Sequence, residues 1–169
     1  LMTKEFFVRK WLLAHPAAYL LSHMLVMPLI AFYASAFDWL CECRAMPHGM
    51  TWLLLLSFCC GLVLELGRKI RVPSRERFGV ETYSVLWGGN VAVILWLAAV
   101  SVSVLAYAMA AAEISSDHFF VALGACVVVV GLFSALKFAG SGRLRIAGNR
   151  NILEPTSGFV ALSLYSGLG

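Results

Sequence analysis

The stretch Glu65-Leu-Gly-Arg-Lys-Ile-Arg-Val-Pro-Ser-Arg-Glu-Arg-Phe-Gly-Val-Glu-Thr-Tyr-Ser-Val-Leu-Trp-Gly88 decides how this chain folds. It begins inside a very apolar segment and then releases Arg68, Lys69, Arg71, Arg75 and Arg77. It turns at Pro73 and Gly79 and re-enters apolar sequence at Val85. That order is one helix leaving a membrane and the next entering it. Charge at the mouth of a membrane helix is costly to keep unless something binds or pairs there, so this segment is where function is expected.

The composition of the whole chain agrees. Of 169 residues, 61% are hydrophobic and 13% charged, where a soluble domain has about 45–50% and 25%. A soluble fold would have too little polar surface to cover it. Five apolar runs stand against the roughly 20 residues that cross a bilayer core: Pro16 to Phe37, Met50 to Gly67, Val85 to Ala112, Phe119 to Leu136, and the shorter Thr156 to Leu168. The expected fold is an all-α, polytopic transmembrane bundle, with residues 1–169 in one domain. The chain opens on Leu1 and ends at Gly169 inside an apolar run. It is therefore expected to be a piece of a longer polytopic protein.

Charge orders the loops. Lys4, Arg9 and Lys10 precede the first run, Arg68 to Arg77 follow the second, and Lys137, Arg143, Arg145 and Arg150 follow the fourth. The alternate loops hold Asp38, Glu42 and Arg44, then Glu113 and Asp117. By the positive-inside rule the N-terminus and the Arg68 and Arg143 loops are cytoplasmic. The expected location is an integral membrane protein of a bacterial inner membrane, with membrane lipid as a partner and no nucleic acid. Residues 1–14 mix Phe6, Phe7, Trp11 and Leu12 with Lys4, Arg9 and Lys10. They read either as an amphipathic helix on the anionic face or as an aromatic lead-in to the first span.

Scattered polar residues carry less. Cys59, Cys60 and Cys126 fall within runs and read as small packing residues. Cys41 and Cys43 flank Glu42, with His48 near, but the spacing matches no zinc pattern. His23 lies within the first run, as a functional candidate or a hydrogen-bonded core residue. Gly61, Gly67, Gly124 and Gly131 permit close helix approach.

No Walker loop, dinucleotide fingerprint, HExxH or Gly-x-Ser-x-Gly element is present. Chemistry must come from the Glu65–Tyr83 and Lys137–Glu154 loops. On a helix, Glu65, Arg68 and Lys69 share a face, so the two cations can neutralise the acid, and Pro73 is expected to end that helix. Clustered Arg and Lys with a few carboxylates suit an anionic phosphate ligand, with or without a divalent ion. The plainer alternative is a positive-inside anchor with local salt bridges.

Residues 65–88 resemble the second conserved region of the UbiA superfamily of intramembrane prenyltransferases. The elements are Glu65-x-x-Arg68-Lys69-Ile-Arg71-x-Pro73-x-x-Glu76-x-x-Gly79-Val80, then Gly79-Val80-Glu81-Thr82 and Gly88. The resemblance implies a nine-helix bundle, of which this chain holds about five spans. The missing N-terminal helices, or a partner, would supply the rest. It further implies Mg²⁺, a prenyl diphosphate substrate and an unknown acceptor. On that likeness Glu65, Glu76 and Tyr83 are the catalytic candidates, and Glu76 and Glu65 the metal ligands. Arg68, Lys69, Arg71 and Arg150 hold the diphosphate. Lys69, Arg71 and Arg75 stand where the family carries aspartates, which points to direct phosphate contact. The alternative function is a non-enzymatic polytopic protein that binds anionic lipid, or a transport or scaffold subunit.

Overall fold

The computed structural model describes residues 9–43, 45–71, 82–114, 126–127, 129–131 and 153–166. Among them every regular element is a helix. In chain order these are α1 (Arg9–Ala14), α2 (Pro16–Met24), α3 (Val26–Cys41), α4 (Met50–Lys69), α5 (Tyr83–Trp87), α6 (Gly89–Ile114) and α7 (Leu153–Ser166). Among the described residues three helical stretches are long and apolar enough to cross a membrane: Pro16–Cys41, Met50–Lys69 and Gly89–Glu113. The chain is an all-α helical membrane protein. Most of the run Phe119 to Leu136 lies outside the described residues.

Prolines set the bends of the first span. His15, before Pro16, has φ −126° and ψ 77°, because the residue ahead of a proline is pushed out of the α region. That separates α1 from α2. Pro28 has no N–H for the Met24 carbonyl, and the helix breaks at Leu25 between α2 and α3. The span runs on to Cys41, four residues past its expected end at Phe37.

α4 is the centre of the bundle, packed on α3, α6 and α7. Leu56, Cys60, Val63 and Leu66 face Trp96, Val100 and Tyr107 of α6 and Leu153, Val160 and Leu164 of α7 within one buried core. Little of the first span is fully buried, whereas about half of the apolar length of α4 and of α6 is. Glycines let helices meet closely, as expected. A Cβ on Gly61 would sit 3.0 Å from Met27 of α3. One on Gly67 would collide with Ser157 Oγ and lie 2.9 Å from the Leu153 carbonyl of α7.

Three further boundaries and one burial differ from expectation. α4 carries Arg68 and Lys69 on its last turn and stops at Ile70, with φ −88° and ψ 116°. That is three residues before Pro73, and the cause is a competing acceptor. The Arg71 amide donates to Ser84 Oγ at 2.8 Å instead of continuing the helical ladder. The run from Val85 is not one helix: Gly88 takes φ +85° and ψ 146° between α5 and α6. Only glycine adopts that backbone without strain, so the span begins at Gly89. α7 starts at Leu153, ahead of Thr156. Cys59 and Cys60 are buried as packing residues, but Cys126 is exposed.

Candidate functional site

The charged end of α4 is built by helix geometry. Residues three and four apart lie side by side, so the Glu65 carboxylate receives both following cations. Its Oε2 accepts from Arg68 Nη2 at 2.6 Å and its Oε1 from Lys69 Nζ at 3.0 Å. The three side chains grade outward, with Glu65 14%, Lys69 31% and Arg68 61% exposed. In such a setting the Arg68 pair contributes only a few tenths of a kcal/mol, because water and salt screen it.

Lys69 is held by more than Glu65. Its Nζ lies over the Tyr19 ring at 5.5 Å and over the Tyr83 ring at 5.4 Å. Each ring is backed by another. Tyr19 stacks on His23 with centroids 4.0 Å apart, and Tyr83 on Trp87 at 4.7 Å and 13°. The cation thus joins α2, α4 and α5, with each face worth roughly 1 kcal/mol where water is partly excluded. His23, half-buried, donates through Nδ1 to the Tyr19 carbonyl at 3.0 Å.

Of the predicted site residues, Glu65, Arg68, Lys69 and Tyr83 come together. Arg71 follows directly, half-buried, with its amide tied to Ser84. Glu76 and Arg150 lie outside the described residues, as do Arg75, Arg77, Arg143 and Arg145. Tyr19 was not legible as a site residue, since nothing in its neighbourhood marks a contact 50 positions away.

A divalent ion does not fit Glu65 as it stands. Both carboxylate oxygens are engaged by cations. Among the described residues no group of three or more His, Cys, Asp or Glu side chains gathers to hold a metal. The same holds for Cys41, Cys43 and His48. Tyr83 is a neutral phenol: burial first, then the charges of Glu65 and Tyr19, push its ionisation above the ordinary tyrosine range. It can donate a hydrogen bond and cannot serve as a base near neutrality.

The opposite end of the bundle is acidic. A cavity of about 540 Å³ is lined there by Asp38, Trp39, Glu42, His48, Met50 and Glu113. α4 starts at this cavity and finishes at Arg68 and Lys69, so charge of opposite sign is separated along the helix axis.

No family model, curated protein or solved structure matches this chain.

Proposed function

We propose that this chain supplies the diphosphate-binding end of a UbiA-like membrane prenyltransferase. One observation carries the proposal: Glu65, Arg68, Lys69 and Tyr83 converge where a membrane span ends. In this proposal the basic end faces the cytoplasm, in keeping with the separation of basic and acidic ends. Arg68 offers the N–H groups not used by Glu65, Lys69 a point charge, and Arg71 and Arg150 further cations. Breaking the donor's C1–O bond sends its electron pair to the diphosphate and leaves an allylic cation. An acceptor then attacks C1 and loses a proton. The cations of this end stabilise the charge that builds on the leaving oxygens. No step is assigned to a metal at Glu65, because its oxygens are already paired.

The test is prenyl transfer by full-length protein in membranes, using Arg68→Ala and Lys69→Met. A loss of about tenfold or more is expected from each, the worth of a charge-assisted contact. Unchanged transfer would remove the proposal.

A second reading has its own support. Arg68 is the most exposed of the three side chains, and Val85 and Leu86 are exposed on α5, the helix whose Tyr83 ring Lys69 overlies. Cations beside exposed apolar groups suit an anionic lipid surface with no chemistry. Salt-sensitive binding to phosphatidylglycerol without any transfer would favour it.

A further inference from the structure

Two buried hydroxyls at the start of α5 have no partner among the described residues, and one of them is on the ring that Lys69 overlies. Thr82 is 1% and Tyr83 3% exposed. Neither Thr82 Oγ1 nor the Tyr83 hydroxyl has a hydrogen-bond partner among the described residues. Buried polar groups are nearly always paired, and each exception calls for a cause.

Local structure sharpens this. Thr82 occupies the N-cap of α5 with φ −113° and ψ 153°, yet its side chain makes no cap bond. A threonine there ordinarily accepts from an amide of the first turn. The next hydroxyl, Ser84, accepts from the Arg71 amide. The Tyr83 ring is fixed by Trp87 on one side and approached by Lys69. Its hydroxyl is therefore held in place rather than free to seek another acceptor.

We infer that the Thr82 and Tyr83 hydroxyls are donors reserved for a phosphoryl oxygen whose charge is met by Lys69. The inference rests on reading this end of the bundle as an anion site. The groups on offer are donors: the Lys69 ammonium, the free N–H groups of Arg68 and two hydroxyls. A phosphoryl group has enough non-bridging oxygens to accept from an ammonium and two hydroxyls at once. A planar carboxylate, with two oxygens, satisfies that set less well. The phenol stays protonated, so it remains a donor at every physiological pH. The phosphoryl group comes either from the diphosphate of a prenyl donor or from a phospholipid headgroup.

The experiment uses the full chain in phosphatidylcholine nanodiscs, with farnesyl diphosphate as one probe. The other probe is phosphatidylglycerol added to the disc. Tyr83→Phe and Thr82→Val remove one hydroxyl each at nearly constant shape. Thr82→Ser returns the hydroxyl. Each removal is expected to weaken probe binding by roughly tenfold, the effect of losing a bond to a charged acceptor. Thermal stability should stay level or rise, since an unpaired buried hydroxyl has been taken away. Thr82→Ser should bind as wild type. A purely structural role predicts the reverse, with lower stability and unchanged affinity, and that result overturns the inference. If Arg68→Ala weakens farnesyl diphosphate binding and the hydroxyl variants do not, the inference alone falls. If only phosphatidylglycerol binding depends on the hydroxyls, the phosphoryl seat stands and the prenyltransferase reading falls. If wild type binds neither probe, both fall.

Discussion

Trp96 donates its indole N–H to Ser157 Oγ at 2.9 Å, across 61 positions of sequence. Ser157 in turn donates to the Leu153 carbonyl at 2.7 Å, and the indole also reaches the Val63 carbonyl at 3.2 Å. α4, α6 and α7 are thereby tied at one buried polar point, just below the turn that carries Arg68 and Lys69. Inside lipid such groups must find partners within the protein. Ser157→Ala leaves the indole with the longer bond to Val63. The expected cost is about 1 kcal/mol, seen as a drop of roughly 2–4 °C in the midpoint of thermal unfolding in detergent. An unchanged midpoint would mean that the Val63 carbonyl alone satisfies Trp96.

Gly67 sits against that same point, so its replacement has an unusual sign. An alanine in an exposed helix interior is better than glycine by about 0.5–1 kcal/mol. Here a Cβ would meet Ser157 Oγ and the Leu153 carbonyl. Overpacking of this kind costs about 1–3 kcal/mol. Gly67→Ala is therefore expected to destabilise. Adding Ser157→Gly should not restore stability, because the Leu153 carbonyl is backbone and stays 2.9 Å away. Thermal midpoints of the single and double variants decide it. A stabilised Gly67→Ala would show that α7 does not pack on α4 here.

Three of the five spans were legible because lipid demands long apolar helices, and Met50 to Gly67 follows from hydropathy alone. The Glu65, Arg68 and Lys69 cluster was legible too, since helical spacing fixes which neighbours meet. Gly88 was harder: the residues from Val85 to Ala112 carry no charge, and a positive φ leaves no mark in hydropathy. The end of α4 at Ile70 depends on Ser84, a side chain from another helix. The contacts of Lys69 with Tyr19 and of Trp96 with Ser157 are tertiary, and no local pattern announces them. Hydropathy places helices across the bilayer but does not say which buried hydroxyls lack partners, so the burial of the Thr82 hydroxyl was not legible.

Glu65 separates two accounts of the charged end. As a metal ligand it would be essential to anion binding. As described it instead occupies Arg68 and Lys69, at 2.6 Å and 3.0 Å, and competes with any incoming phosphate for both. Glu65→Gln keeps the size of the side chain and one acceptor oxygen but removes the charge. A like charge a few ångströms from a bound anion costs about 1 kcal/mol or more at the effective dielectric of a partly exposed site. Binding of inorganic diphosphate to the full-length protein is thus expected to tighten by roughly five- to tenfold. Lys69, losing its counter-charge, keeps its place between Tyr19 and Tyr83, so stability should fall only slightly. Isothermal titration with and without added Mg²⁺ provides the check. Loss of binding in the variant, together with loss of any Mg²⁺ dependence, would restore Glu65 as a metal ligand and set aside its role as the internal competitor.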